Sequence, residues 1–417
     1  MDVPARSGGQ YRHLRPELGT GPRPARISRH GRGLRSLANR LRSAARGPCD
    51  RSDRSQRRRD NAFTCPDGHS SVRGGQCREV AMKRMTAMLA AAALAAALAL
   101  PAQAERLRGL VPSTVTSPDG LAIAVVESGE TTGRPILFVH GFSQSAAAWR
   151  RQMLSDLGDT YRLIAFDMRG HGYSSKPADP KHYIDSKLWA GDIAAVIAAK
   201  GLKDVVLVGW SYAGLPLLDY VKAHGQGKLS ALVFVATGYN LDLRPPDKGG
   251  PELVLGPGVI ENTGPMAGIP AGPPGADLDG CGKAKTCGAY ARQLAGTKRF
   301  LDMVPGKPLP AADAAEALAY NMQTPPYVRR AMVIDRFVKG GPLDHSPTLK
   351  TIKVPVLFIH GSKDRHVLPR STEIMKGLVD GTGGKSTRII YDGIGHAPFI
   401  EDAKRFNADL KKFVSGL

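Results

Sequence analysis

The sequence predicts an α/β fold in which a parallel sheet is covered by helices on both faces. From Gly133 onward, short apolar runs of strand length alternate with amphipathic stretches of helix length. The apolar runs are nearly continuous in Val, Ile, Leu and Phe, which is typical of strands buried on both faces of a parallel sheet. Helical patterns such as "KLWAGDIAAVIAAKGL" separate them, as β–α–β units require.

A hairpin precedes this alternation, because "STVTSPDGLAIAVVESG" contains two short strand patterns around a Pro-Asp-Gly turn at 118–120. Further strands are predicted in order along the chain: "PILFVHG" at 135–141, "YRLIAFD" at 161–167, "VVLVGW" at 205–210, "LSALVFVA" at 229–236, "VPVLFIHG" at 354–361 and "STRIIYDG" at 386–393. The amphipathic segment "EDAKRFNADLKKFV" predicts a closing helix. Residues 105–237 and 351–417 are therefore expected to form one core.

Residues 238–350, hereafter the insert, interrupt the alternation. The insert contains a Gly- and Pro-rich stretch and then helical patterns such as "AADAAEALAYNM". Insertions of this length are uncommon unless they are functional, and one with helices of its own indicates a lid or cap. We therefore expect the insert to form a cap over the core.

The front of the chain carries most of the positive charge. The whole chain has a formal net charge of +21, and residues 1–104 hold 20 Arg and Lys against 7 Asp and Glu. Residues 1–81 are rich in Arg, Gly, Ser and Pro without apolar periodicity, which predicts disorder. Because an export signal follows directly, we expect this leader not to be natural protein, and no nucleic-acid partner is predicted. Nucleic-acid binding through the leader is the alternative.

The segment "MKRMTAMLAAAALAAALALPAQAE" has the anatomy of a secretory signal peptide at 82–104. Lys83 and Arg84 precede an apolar run, and Ala102 and Ala104 form the small-residue cleavage site. The apolar run is shorter than the roughly 20 residues of a membrane span, which argues against an uncleaved anchor. We predict a secreted or periplasmic protein with no stable membrane insertion after cleavage.

Only two cysteines would remain after cleavage, Cys281 and Cys287 in "CGKAKTCG". In an oxidising compartment such a pair, flanked by glycines, can close a small loop, so a disulfide is predicted. A metal site is the weaker alternative because no His lies near the pair, and no metal is predicted.

The stretch "VVLVGWSYAGLPLLDY" places Ser211 between a predicted strand and a helical pattern. In a nucleophile elbow the serine occupies a strained turn in which only small neighbouring residues fit. Gly209, Ala213 and Gly214 meet that requirement, although glycine is commoner than alanine at the place of Ala213. Ser211 is therefore the candidate nucleophile.

A serine nucleophile also needs donors for the oxyanion. "HGF" at 140–142 follows a predicted strand, and its glycine would let the Phe142 amide turn into the site. The Tyr212 amide is the second candidate donor. We expect the His140 imidazole to be a packed turn residue. Trp210 and Phe142 are candidates to line a substrate pocket, although an aromatic beside an elbow is as often plain packing.

The candidate acid is Asp364 in "FIHGSKD", just past the end of a strand, where a carboxylate would project from the sheet edge. The candidate base is His396 in "DGIGHAPFIED", in the loop before the last helix. Asp392 and His366 are the competing acid and base.

The chain order Ser211, Asp364, His396, with the elbow, the HG turn and "FDMRGHGYSS" at 166–175, resembles the α/β-hydrolase superfamily over residues 115–417. That resemblance implies a mostly parallel eight-stranded sheet with a cap after the sixth strand. Serine as nucleophile argues against the dehalogenase and epoxide hydrolase branches, which place Asp there. "GWSYAG" with "GHAPFIE" is similar to small carboxylesterases and to cofactor-free haloperoxidases or perhydrolases. In the latter group a Pro commonly follows "HGF", whereas Ser143 stands here.

The resemblance implies an exported serine hydrolase that cleaves a small to medium carboxylic ester through an acyl-enzyme on Ser211. His396 would take the proton, Asp364 would orient the imidazole, and no cofactor is needed. The same triad could serve a perhydrolase, an acyltransferase or a C–C bond hydrolase. A non-catalytic binding module is the alternative from a different class.

Overall fold

The computed structural model describes residues 109–241, 252, 254–267, 289–336 and 343–417. The strands in these ranges are β1 Val111–Thr116, β2 Ala122–Gly129, β3 Pro135–Val139, β4 Arg162–Phe166, β5 Val205–Trp210, β6 Leu229–Val235, β7 Asn240–Leu241, β8 Leu343–Asp344, β9 Val356–Gly361 and β10 Ser386–Tyr391. The described helices of ten residues or more are α1 Ser186–Ala199, α2 Gly214–His224, α3 Pro257–Met266, α4 Ala289–Asp302, α5 Ala311–Asn321, α6 Arg370–Asp380 and α7 Ala403–Ser415.

Shorter helical segments connect these elements. They are Arg150–Met153, Lys181–Ile184, Pro326–Arg330, Ser346–Leu349 and Pro398–Glu401, with 3-10 turns at Ala146–Trp149, Asp156–Asp159 and Ser211–Ala213 and one π-helical turn at Ala331–Asp335. Within the described ranges, no helix is both long enough and apolar enough to cross a bilayer.

Eight of the strands form one sheet in the order β1-β2-β4-β3-β5-β6-β9-β10. Strand β2 pairs antiparallel with β1 and β4, and every other pair in this sheet is parallel. The predicted fold class is therefore confirmed. The predicted hairpin is also present, because Thr116 pairs with Ala122 across a turn in which Gly120 has a φ of 82°.

The central strands explain the unbroken apolar runs of the sequence. Every residue of β3, β5 and β9 is buried, since helices cover both faces of the sheet. The predicted segment at 135–141 is two residues longer than β3 because the chain turns at His140 and Gly141.

The predicted closing helix is α7, and its buried residues are Phe406, Leu410 and Val414. These three are spaced four residues apart, so they lie on one face of the helix. The Asp402 side chain accepts a hydrogen bond from the Arg405 amide and caps the helix N-terminus.

The described helices of the insert follow β6 in sequence, and α3 packs against α4. Strand β7 pairs antiparallel with β8, so the short sheet they form joins the two ends of the insert. Cys281, Cys287 and the whole of residues 1–104 lie outside the described residues.

Candidate active site

Ser211 occupies a tight turn between β5 and α2, and its φ of 57° is in the left-handed region that side chains other than glycine rarely adopt. The neighbouring glycines are required by close packing. A Cβ on Gly209 would lie 2.8 Å from a Leu217 methyl carbon, and one on Gly214 would lie 2.5 Å from the Gly238 carbonyl oxygen. The turn therefore has the geometry of a nucleophile elbow.

His396 and Asp364 lie beside this serine. The His396 Nε2 atom is 2.8 Å from Ser211 Oγ, and the His396 Nδ1 atom is 2.7 Å from Asp364 Oδ2. The three residues lie in the segments that follow β5, β9 and β10, and parallel strands bring their carboxyl ends to one edge of the sheet. The structure thus brings together three side chains that are far apart in the sequence.

The Asp364 carboxylate is fully hydrogen-bonded. Its Oδ1 atom accepts from the amides of His366 (2.8 Å) and Val367 (3.0 Å), while Oδ2 accepts from His396 and His360. Burial alone would raise the pKa of this carboxyl group, but the neighbouring His396 and His360 hold the pKa below its ordinary value. Asp364 is therefore ionised at neutral pH, and His396 carries its proton on Nδ1.

His360 is a member of the site that sequence reasoning missed. It lies on β9, and its Nε2 atom donates to Asp364 Oδ2 (2.9 Å) and to the Val367 carbonyl (2.9 Å). The Thr372 hydroxyl is 3.1 Å from its Nδ1 atom. The signal was available in "FIHGSKD", where His360 stands four residues before Asp364, but only the sheet geometry turns its ring toward the carboxylate.

Neither the competing acid nor the competing base is hydrogen-bonded to Ser211. Asp392 is exposed and accepts a hydrogen bond from the Ser362 hydroxyl. His366 stacks on His396 with ring centroids 4.9 Å apart, and no hydrogen bond joins it to Ser211. Burial and the neighbouring His396 lower the pKa of His366 to about 3, so this imidazole is neutral at ordinary pH.

The HG turn passes directly beside the elbow, since a Cβ on Gly141 would lie 2.9 Å from the Ser211 Cβ. The His140 side chain holds the turn: its Nδ1 atom donates to the Gly141 carbonyl, and its Nε2 atom accepts from the Met168 amide. Burial lowers the pKa of His140 to about 4, which keeps this imidazole neutral. The residue has the packed environment expected of a turn histidine.

Two backbone amides are available near Ser211. Among the described residues, the Phe142 amide donates to no protein acceptor. Tyr212 lies in the turn that leads into α2, where the amides at a helix N-terminus lack acceptors within the helix and lie at the positive end of the helix dipole. An anionic oxygen near Ser211 would therefore be stabilised by this end of the helix.

The cavity at Ser211 is small and apolar, with a volume of about 50 Å³. Its walls include Phe142, Leu215, Leu241, Val259, Phe300 and Val333. Trp210 is not among the residues that line it. The Trp210 indole donates to the His396 carbonyl (2.7 Å) and borders another cavity, of about 440 Å³, that residues of α4 and α5 also line. Of the two candidate pocket residues, only Phe142 borders the cavity that contains Ser211.

The described residues contain no group of three or more His, Cys, Asp or Glu side chains arranged to hold a metal ion. A hydroxyl, an imidazole and an ionised carboxylate in hydrogen-bonded sequence form the arrangement that activates a serine for attack on a carbonyl carbon.

Comparison with known proteins agrees with this geometry. The family model described as "Alpha/beta hydrolase family" matches residues 136–409. A non-heme haloperoxidase from Rhodococcus erythropolis is 30% identical over 307 residues, which cover 72% of this chain and 98% of that protein. A bifunctional esterase/perhydrolase from Acinetobacter calcoaceticus is 27% identical over 312 residues, again 72% of this chain and 98% of the relative.

Solved structures give the same result. The crystal structure of an esterase from Rhodococcus sp. ECU1013 matches with a TM-score of 0.61 and 30% identity, covering 73% of this chain and 99% of that one. With the sheet order, the elbow and the family match taken together, the chain belongs to the alpha/beta hydrolase family.

Proposed function

We propose that this protein is an exported serine hydrolase that cleaves small to medium carboxylic esters through an acyl-enzyme on Ser211. The observation that carries the proposal is the hydrogen-bonded series Ser211, His396, Asp364, with distances of 2.8 and 2.7 Å. The esterase and esterase/perhydrolase among the similar proteins support ester chemistry at this site.

In the proposed mechanism the Ser211 hydroxyl attacks the ester carbonyl while His396 Nε2 accepts its proton. The ionised Asp364 accepts the Nδ1 proton of His396, which fixes the tautomer and stabilises the imidazolium ion that forms. The Phe142 and Tyr212 amides are assigned to the oxyanion, and each such donor contributes on the order of 10² to 10³ in rate. His396 then returns the proton to the departing alcohol, and water releases the acid by the reverse route.

The shape of the Ser211 cavity supports an ester with a short apolar acyl group. Most of its walls are Leu, Val and Phe side chains, Asn240 and Thr263 add polar groups, and the cavity has little spare volume. A charged acyl group would lose its hydration there without an opposite charge among the lining residues.

The test is a series of p-nitrophenyl esters of increasing acyl length, assayed with the purified protein, Ser211→Ala and Ser128→Ala. Ser128 is a matched control because it is equally buried, at 8% exposure, and its hydroxyl donates to the Met153 carbonyl outside the site. We expect turnover of short-chain esters, no change in Ser128→Ala, and a loss of at least about 10³-fold in Ser211→Ala. Equal activity in Ser211→Ala and the unmodified protein would remove Ser211 from the mechanism.

Perhydrolysis is a second candidate, favoured by the similarity to a haloperoxidase and an esterase/perhydrolase. In that reaction hydrogen peroxide replaces water and releases a peracid from the acyl-enzyme. The φ of Ser143 is 61°, whereas a proline ring locks φ near −65°, so the proline common in perhydrolase relatives does not fit this turn. Peracid formation from acetate and hydrogen peroxide, measured beside ester hydrolysis, separates the two activities.

Export is part of the proposal and rests on the sequence of residues 82–104, which lie outside the described residues. The predicted cleavage site follows Ala104. Mass spectrometry of the protein from a native host should give an N-terminus at Glu105 in the culture medium or periplasm. A secreted product that still contains residue 90 would contradict cleavage.

A further inference from the structure

Arg336 belongs to the insert and reaches the residue that follows the nucleophile. Its Nη1 atom donates to the Tyr212 hydroxyl at 2.6 Å. Its Nη2 atom donates to the Asp219 carboxylate at 2.7 Å and to the Ser186 hydroxyl at 2.9 Å. Because Ser186 begins α1 and Asp219 lies in α2, one buried side chain of the insert connects the two helices that flank the elbow.

The Tyr212 side chain is held along its whole length. Its hydroxyl accepts from Arg336 and donates to the Met332 carbonyl at 3.3 Å, so two residues of the insert, four positions apart, hold it. Its ring lies between Trp189 and Phe142, with centroid distances of 5.8 and 6.3 Å. Burial raises the pKa of the phenol, which keeps the hydroxyl protonated and able to make both hydrogen bonds.

The position of Tyr212 in the chain gives this anchoring a consequence for the site. Tyr212 is bonded directly to Ser211, whose φ of 57° is strained for a residue with a side chain. A strained backbone persists only where its surroundings over-determine it. A ring fixed at its far end limits the rotation of the Tyr212 backbone, and therefore the direction of the amide assigned to the oxyanion.

We propose that Arg336 is a positioning residue for acyl transfer: it holds the Tyr212 side chain and, through it, aims the Tyr212 amide at the oxyanion. The proposal rests on the function proposed above. Arg336 is not among the residues that line the Ser211 cavity, and its charge is balanced by Asp219. The insert therefore contributes to the chemistry as well as covering the core.

The decisive variant is Tyr212→Phe, which removes the hydroxyl and keeps the ring. For p-nitrophenyl butyrate we expect kcat to fall about tenfold and KM to change by less than twofold, because an oxyanion donor acts in the transition state rather than on the bound ester. Phenylboronic acid, which forms a tetrahedral adduct on the serine, should bind about tenfold more weakly. A general packing defect would instead lower the melting temperature without separating kcat from KM.

Two further variants complete the test. Ser186→Ala removes a hydrogen bond from the same guanidinium on the side away from Tyr212, and we expect kcat within twofold of the parent. Arg336→Lys keeps the positive charge near Asp219. Because lysine lacks the planar guanidinium group, it cannot donate to Asp219 and Tyr212 in the same geometry, and kcat should fall as in Tyr212→Phe. The double variant Tyr212→Phe/Arg336→Lys should be no slower than the slower single variant.

The proposal is overturned if Tyr212→Phe keeps the parent's kcat and boronic acid affinity, or if Ser186→Ala is as slow as Tyr212→Phe. If Arg336→Lys does not fold, the Tyr212→Phe comparison decides alone. Failure of the underlying function is distinguishable, because Ser211→Ala would then hydrolyse esters as fast as the parent.

Discussion

The imidazole rings of His366 and His396 lie 4.9 Å apart at an interplanar angle of 18°, so the proposed base is stacked on a second buried histidine. Phe300 of the insert packs edge-on against His366 at 4.3 Å and also lines the cavity at Ser211. His366 therefore lies between Phe300 of the insert and the His396 ring, and its packing helps to fix the orientation of that ring. It does not act as the base, because its lowered pKa makes it a poor proton acceptor and no hydrogen bond joins it to Ser211.

This burial predicts a pH dependence of stability. The pKa of His366 is about 3 in the folded protein, against 6.5 for an ordinary histidine, so the unfolded chain binds the proton first as pH falls below 6.5. The stability contributed by neutral His366 is therefore fully present above pH 6.5 and is lost progressively toward pH 3. Between pH 6.5 and about 4.5 this amounts to about 2 kcal/mol.

His366→Phe keeps an aromatic ring in the stack and removes the titrating group. We expect its free energy of unfolding, measured by urea titration, to fall by about 2 kcal/mol less than that of the parent between those two pH values. If the free energy of unfolding falls equally in both proteins between these pH values, His366 is not the group responsible. At neutral pH the variant should retain kcat within about twofold, because stacking is preserved.

The contact between His360 and Asp364 gives a second prediction, which concerns kcat/KM. His360→Phe removes one donor to Asp364 Oδ2 and leaves the backbone donors to Oδ1 in place. A hydrogen bond to a charged group contributes about 1.5 kcal/mol or more, so kcat/KM for a p-nitrophenyl ester should fall about tenfold. Thr372→Val is the control at the other ring nitrogen: it removes the hydroxyl beside His360 Nδ1, which also contacts the Pro369 carbonyl and Arg388, and it leaves the contact with Asp364 in place, so its effect on kcat/KM should be smaller. Equal losses in the two variants would argue against a role for the carboxylate contact.

The elbow predicts that two glycines differ strongly in how much an alanine substitution destabilises the fold. Gly214→Ala would place a carbon 2.5 Å from the Gly238 carbonyl oxygen, and overpacking against backbone should cost about 2 kcal/mol or more. Gly227→Ala is the control because nothing lies within 4 Å of its new carbon, and its effect should stay within about 0.5 kcal/mol. Urea unfolding of both variants provides the comparison. A Gly214→Ala protein as stable and active as Gly227→Ala would contradict the tight turn.

The turn after "HGF" predicts opposite effects of two substitutions. Ser143 is buried with a φ of 61°, so Ser143→Gly should be neutral or stabilise the fold by up to about 1 kcal/mol. Ser143→Pro cannot adopt this angle and should destabilise the fold by about 3 kcal/mol, with loss of ester hydrolysis. Thermal unfolding and activity of the pair measure both effects. A stable, active Ser143→Pro protein would mean that the turn can take the conformation that proline requires.

Much of the architecture was readable from local sequence patterns. Unbroken apolar runs predicted the buried strands, and Pro-Asp-Gly at 118–120 predicted the hairpin turn, because side-chain burial and turn geometry depend on neighbouring residues. The small residues around Ser211 predicted its strained turn for the same reason. These features require only the preferences of a few consecutive residues.

Only the tertiary structure decided how the side chains around the predicted triad are arranged. Arg336 contacts Tyr212, His360 turns toward Asp364, and Trp210 does not line the Ser211 cavity. Each of these outcomes depends on the sheet order and on how the insert packs over the core. A single sequence records the periodicity of each segment but not the pairing between segments, so contacts across more than a hundred residues become definite only when the chain is folded.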